Sequence, residues 1–273
     1  MPAWNATSFI GPVLESLAAQ TYEHLDVLIS VDLCNDGTVE LCEEFAATHP
    51  NFFVIRQRNR LGWIGNSNAL LNRAEGDYLF FAFHDDPLEP TYVSRLVEAL
   101  EHNPSAVLAF SDMASDRGIE SYRELEGLTD RFERAKRLLV PEEPWWCPNR
   151  GLFRAAAAKR LGGLRRHMGG EYGADLPWLM SLALLGGFVR VPEPLIFKNR
   201  RSDGLNAKFI KSSSSWKRLG VRLACLRAIR GARPSLSVSM RMHAAGLLHF
   251  VREEWWILQR KALGNLPFGR SPE

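Results

Sequence analysis

Apolar positions recur at helical spacing over Phe9–Tyr22 and then give way to a largely apolar run, Leu25–Val31, whose β-branched residues and bounded length predict a buried strand. Turn chemistry follows at Asn35-Asp36-Gly37. The pattern then predicts a helix over Thr38–Thr48, a strand over Phe52–Arg56, a helix near Gly65–Arg73 and a strand over Tyr78–Phe83. Further on come a helix over Pro90–Glu101, a strand over Ala106–Ser111, and helices over Arg154–Leu161 and Leu176–Gly186, the last stopped by Gly186-Gly187. Strand Phe188–Pro192 closes the series. Such alternation predicts an α/β fold of right-handed βαβ units, a mostly parallel central sheet flanked by helices, with ligands beyond the carboxyl ends of the strands. Asp32 and Asp85 stand at two such ends. The serine run 212–215 reads as a linker into two helical segments, Trp216–Ile229 and Ser237–Leu263. Two units are therefore expected: an α/β domain over 1–200 and a helical extension over 201–273.

Composition leaves that picture standing and removes others. In 273 residues, 46% are hydrophobic and 24% charged, which suits a globular core and excludes collagen-like and disordered chains. No window reaches the roughly 18 to 20 apolar residues that crossing a bilayer needs. Cys34, Cys42, Cys147 and Cys225 are scattered and form no CxxC pair, so they read as packing residues and point to a reducing, cytoplasmic compartment. Charge is uneven: residues 198–273 carry 16 Lys and Arg against 4 Asp and Glu, a net +12, which leaves −9 on residues 1–197. Two regions with different partners follow from that asymmetry.

The candidate chemistry lies in three carboxylate sets: Asp32 and Asp36 in the segment Val31–Thr38, Asp85 and Asp86 in His84-Asp85-Asp86, and Glu171 with Asp175 at a helix start. Taken singly, each set reads as well as turn and cap residues. Their order changes the reading. Pro2-Ala3-Trp4-Asn5, then Ser16 to Tyr22, then Asp32 to Thr38, resembles the opening of the family 2 glycosyltransferases, P-x-Y-N, S-x-x-x-Q-T-Y and D-D-G-S-T-D-G-T. Asn59-Arg60-Leu61-Gly62 with Asn68 is similar to that family's N-x-x-G…N segment, and Gly76-Asp77-Tyr78 through His84-Asp85-Asp86 to its G-x-Y-I-x-F-L-D-x-D-D. Gly151-Leu152-Phe153-Arg154, Gly162-Gly163 and Ala174-Asp175 resemble the lead-in to its acceptor-side E-D motif. The resemblance covers about residues 1–200.

The resemblance implies a GT-A fold and transfer of a sugar from a nucleotide donor, a UDP-sugar by preference, with a divalent cation, Mg2+ or Mn2+, neutralising the leaving diphosphate. It assigns the metal to Asp85, the nucleotide to Asp32, Asn5, Asn68 and Asp86, and the general base of an inverting transfer to Asp175. Phe83 stands where the family has the first Asp of its metal motif, so a single carboxylate assisted by Asp86 or His84 remains. Ala174 replaces the Glu before the base, and Glu171 one turn earlier is its partial substitute. Trp145 and Trp146 are candidates for stacking on an acceptor sugar, and Arg200 and Arg201 for steadying the diphosphate. Family members begin with an apolar strand before P-x-Y-N, and this sequence, starting at Met1-Pro2, is expected to lack it.

The C-terminal segments interleave apolar residues with Lys and Arg, which predicts amphipathic helices with peripheral contact to an anionic membrane, on its cytoplasmic face, and fits an acceptor that is a glycan or lipid-linked intermediate. Nucleic acid is a poor partner, because the first 197 residues are net acidic and no nucleic-acid motif occurs. The alternative to an enzyme is a non-catalytic sugar-nucleotide or glycan-binding relative. A nucleotidyltransferase ranks below both, for want of a Gly-rich phosphate loop near the first strand.

Overall fold

The computed structural model describes residues 1–199 and 211–262. Arg200 and Arg201, and the side chains of Arg260 and Lys261, lie outside the described residues. A first sheet contains β1 (Pro2–Ala3), β2 (Val27–Val31) and β3 (Phe52–Arg56), all parallel and in that order, with Ala3 opposite Val31 and Val31 opposite Arg56. Helices α1 (Gly11–Ala18) and α2 (Thr38–Thr48) make the crossovers, and α3 (Gly62–Arg73) leads out. The expectation of a missing first strand is corrected here. Two residues do pair: Ser30 N–H donates to the Met1 carbonyl and Asp32 N–H to the Ala3 carbonyl, both at 2.9 Å. Pro2 is tolerated because β1 is an edge, where its missing N–H leaves no ladder bond unmade.

The second sheet is mixed. Strand β4 (Tyr78–Leu79), then α4 (Tyr92–His102), β5 (Ala106–Ser115), β6 (Gly118–Glu120), α5 (Arg131–Leu139), a short 3-10 turn at Pro148–Arg150, β7 (Leu152–Arg154), α6 (Ala155–Leu161), α7 (Asp175–Leu185) and β8 (Gly187–Lys198) follow in the chain. Strand β5 is central: β7 and β6 pair with it antiparallel and β8 parallel, while β4 adds to β7. Strands β6 and β7 and helix α5 extend the predicted alternation. Asp130 caps α5, accepting from the N–H groups of Phe132 and Glu133 at 2.8 Å. Of the run expected as strand Tyr78–Phe83, only Tyr78 and Leu79 pair; Phe80 continues as apolar chain packed against the cores of both sheets.

Helices α8 (Ser215–Gly231) and α9 (Leu236–Ala262) complete the described chain. Val221, Cys225, Ile229 and Met242 from them join the same core as β5, β8 and α7. All four cysteines are free thiols; Cys42, Cys147 and Cys225 are buried, and burial pushes each of these thiols up to about 12. Backbone meets backbone where α8 crosses the 167–170 loop. A Cβ on Gly220 would stand 2.6 Å from the Gly169 nitrogen, and one on Gly169 would stand 2.8 Å from the Lys217 carbonyl oxygen. In an isolated helix Gly→Ala gains about 1 kcal/mol. Here Gly220→Ala is expected to lose about 1–3 kcal/mol by overpacking, read by urea unfolding; a gain in stability would show that α8 is not seated on this loop.

Candidate active site

The carboxyl ends of the first sheet hold the segments assigned to the nucleotide. Asp32 follows β2 and is 2% exposed. Its Oδ1 accepts the N–H groups of Leu33 at 3.1 Å and Leu61 at 2.8 Å, and its Oδ2 accepts Gly62 N–H at 2.9 Å and faces Arg60 Nε at 3.4 Å. These contacts cap α3, whose first N–H groups have no partner inside the helix, and they fill the roughly four acceptor sites of a carboxylate. The exposed Arg60 side chain makes the longest of them and lies over the Trp4 ring, 3.4 Å from its centroid, so it is the partner an incoming ligand displaces most easily. Asn5 is exposed with φ of 46°, in the left-handed region that Asn tolerates. Beyond it, Thr7 and Thr38 hydroxyls donate to Asp36 at 2.9 and 2.7 Å. Against burial, which raises it, these bonds hold the Asp36 carboxyl far below the usual carboxylate range.

Asn68 is engaged with Leu164. Its amide donates to the Leu164 carbonyl and accepts Leu164 N–H, both at 2.9 Å, so it joins α3 to the loop that carries Glu171. Glu171 pairs with Arg166 at 2.6 Å and packs on Gly62, where a Cβ would stand 2.8 Å from its carboxylate oxygen. Gly62 has φ of 72°, which glycine adopts without strain. Glu171 is thereby set beside the segment that Asp32 caps.

Asp85 and Asp86 have opposite fates. Asp86 is buried, and Arg150 Nε meets it at 2.9 Å while Lys198 Nζ lies 3.0 Å from both its oxygens. Asn199 N–H adds a bond at 3.2 Å. Burial raises this carboxyl, but the two cations outweigh it and hold the group below its ordinary range. The assignment of Asp86 to the nucleotide or metal thus meets a side chain already bonded to Arg150, Lys198 and the Asn199 backbone. Asp85, half-buried, makes no hydrogen bond or ion pair among the described residues. His84 Nδ1 donates to the Pro2 carbonyl at 3.0 Å, which leaves Nε2 as its open nitrogen. Phe83, in place of a carboxylate, lies under the Arg150 guanidinium at 4.3 Å.

Asp175 opens α7 and receives the Asn149 amide at 2.8 Å. Desolvation pushes its carboxyl above the ordinary value, while backbone N–H groups at the helix start, Arg150 and Asn149 oppose the rise. Arg150 feels the charges of Asp86, Asp85 and Asp175 together, so the metal-assigned and base-assigned carboxylates both act on one guanidinium. Trp145 and Trp146 sit just before the same 3-10 turn, both half-buried; Trp146 Nε1 donates to Glu120 at 2.6 Å. Asn149, Arg150 and Lys198 are the site residues that sequence reasoning missed. Their signal was weak: three polar residues, 112 positions from Asp86 in the case of Lys198, with no motif of their own.

Comparison with known proteins settles the family. Residues 1–162, more than half of the chain, match the model described as glycosyl transferase family 2. The chain belongs to that family. Glycosyltransferase GlyA of Streptococcus pneumoniae is 29% identical over 100 residues, which are 37% of this chain and 14% of GlyA. The putative glycosyltransferase EpsH of Bacillus subtilis is 32% identical over 95 residues, 34% of this chain and 27% of EpsH. The matched stretches are thus less than a third of these relatives' lengths. Among solved structures, S. aureus TarS 1–349 in complex with UDP-GlcNAc superimposes with a TM-score of 0.70 at 16% identity, covering 91% of this chain and 70% of TarS 1–349. The mannosyltransferase PcManGT from Pyrobaculum calidifontis, in complex with GDP-Man and Mn2+, gives 0.56 at 17%, covering 90% and 78%. At these identities the likeness is one of fold, and it is the expected GT-A-like architecture.

In this family 2 chain the Asp86 cluster is the part of the site most exposed to a stability test. Asp86→Asn removes the carboxylate that Arg150 and Lys198 both bond and is expected to cost about 3–5 kcal/mol of folding free energy. Because the native carboxyl titrates below its unfolded value near 3.9, its contribution is present above about pH 4 and lost as the pH falls through the native value. Denaturant unfolding at pH 7 and pH 3 checks both points: the variant's deficit is large at pH 7 and shrinks toward pH 3.

Proposed function

We propose that the protein transfers a sugar from a nucleoside-diphosphate donor, a UDP-sugar, to a hydroxyl of a glycan or lipid-linked acceptor, with inversion at the anomeric carbon. The observation that carries this reading is the pair Asp85 and Asp175, one carboxylate without a hydrogen-bond partner among the described residues and the other held by the Asn149 amide at 2.8 Å, both acting electrostatically on Arg150. The family and the UDP-GlcNAc complex of the TarS neighbour support the donor class.

The acceptor hydroxyl gives its proton to Asp175 as its oxygen attacks the anomeric carbon, and the bond from that carbon to the diphosphate oxygen breaks. Burial favours proton uptake by Asp175, and Asn149 keeps the carboxylate oriented and charged before the attack. Among the described residues no group of three His, Cys, Asp or Glu side chains can hold a metal by itself. Asp85, whose oxygens make no bond among the described residues, would hold a cation of the Mg2+ or Mn2+ kind. When bound, such an ion supplies charge neutralisation for the leaving diphosphate. Trp145 and Trp146, on the turn next to Asn149, and Glu171 are the acceptor-side candidates, and Asp32 with Asn5 the nucleotide side. The free cysteines fit a reducing, cytoplasmic setting.

Asp175→Asn is expected to leave donor binding nearly intact, measured by calorimetry, and to cut transfer by about 10²–10⁴. Asn149→Ala removes a bond to the charged form, so the acid limb of the rate profile moves to higher pH. A profile unchanged by Asn149→Ala removes that residue from the base, and near-normal turnover of Asp175→Asn removes the base itself. Asp85→Ala is expected to weaken donor binding in Mn2+ and to leave the residual binding insensitive to chelator. Full transfer by the unaltered protein in chelator would take the metal out of the reaction, and donor binding without any turnover would favour the non-catalytic relative.

A further inference from the structure

Helix α9 presents an outward face that the rest of the described chain leaves uncovered. Met240, Leu247, Leu248, Val251, Trp255 and Leu258 fall on one side of the helix by its 3.6-residue period, and all are exposed, Leu248 to 70% and Trp255 to 58%. The inward face is different: Met242 is buried, and Gly246 packs on Leu139 of α5. From Met240 to Leu258 the stripe runs about 27 Å along the helix.

Charge decides what this face fits. The only acidic residues between 211 and 262 are Glu253 and Glu254, and both turn inward to α8. Glu254 meets Arg218 at 2.6 Å and Glu253 meets Arg222 at 3.3 Å. The exposed charged side chains of the two helices are therefore all cationic: Arg227, Arg230, Arg241 and Arg252, with Arg233 in the turn between the helices and Lys217 half-buried. A second copy laid along the stripe would bring Arg241 and Arg252 of each chain into an interface with no exposed carboxylate on either helix to answer them. An anionic lipid surface supplies that charge, accepts the apolar stripe at its acyl boundary and suits an aromatic side chain at the headgroup level. No helix of the described residues is long and apolar enough to cross a membrane, so a contact of α9 with lipid would run along the surface.

We propose that the outward face of α9 is the docking surface for an anionic bilayer, with Leu247, Leu248, Val251, Trp255 and Leu258 as the inserted side chains and Arg241 and Arg252 meeting the headgroups. The assignment stands apart from the transfer reading and its test needs no activity. The full chain is sedimented with vesicles of phosphatidylcholine alone and of phosphatidylcholine with phosphatidylglycerol, at low and high salt. Binding is expected to the anionic vesicles, weakened by salt. It should fall by about tenfold or more in the variant Leu247→Glu, Leu248→Glu, Val251→Glu, whose thermal unfolding is followed as a check on folding. A second variant, Arg241→Gln with Arg252→Gln, leaves the apolar stripe untouched and should lower anionic binding alone. No binding to anionic vesicles at low salt overturns the proposal. So does binding that both variants leave unchanged, or a dimer seen by light scattering that the glutamate variant dissolves while vesicles are ignored.

Discussion

Asp86 clamped between Arg150 and Lys198 is the contact on which the geometry of the site depends. The three residues come from separate places: the end of the apolar segment that follows β4, the 3-10 turn before β7, and the last residue of β8. Taking these charges out of water is costly unless each is answered. Here the carboxylate is met by two cations and a backbone N–H, and Arg150 also lies over Phe83 while its carbonyl accepts the Tyr92 hydroxyl. These contacts fasten the turn against the second sheet. Asn149, one residue along, is then delivered to Asp175 at the start of α7.

The nucleotide-side half is built by a different device. Asp32 gathers the first N–H groups of α3 onto the end of β2, and Gly62 lets Glu171 approach so closely that a Cβ there would stand 2.8 Å from its carboxylate oxygen. Asn68 repeats the joint further along the same helix, with both its amide groups on Leu164. Polar residues that resemble ligands in a linear motif are thus partly employed in holding α3 between the first sheet and the 162–171 loop. Arg60, stacked on Trp4, makes the longest contact of that set and has the exposed side chain.

In the C-terminal helices, burial and charge are sorted by the same packing. Arg218 and Arg222 are drawn into the α8–α9 contact by Glu254 and Glu253, and Arg222 also donates to the Leu139 carbonyl at the end of α5. The basic excess read from composition is consequently divided into cations that fasten the hairpin and cations that face outward.

Helix α2 at Thr38–Thr48 and strand β3 at Phe52–Arg56 were legible to the residue, because a glycine turn and local periodicity determine them without distant help. The GT-A-like order of elements and the carboxylates at strand ends were legible for the same reason, being motifs of contiguous residues. Strands β6 and β7 were not: three residues each, they exist only because β5 offers edges to pair with. The run Tyr78–Phe83 announced its burial but not its hydrogen bonding, since apolar side chains look alike whether or not a strand lies beside them. Likewise two adjacent aspartates, chemically identical in the chain, became a bonded Asp86 and an Asp85 with no bond among the described residues. Sequence alone determined which charges exist and where along the chain they fall; which were neutralised was decided by tertiary structure, because an ion pair spanning 64 or 112 residues exists only after packing has brought its partners together and removed the water between them.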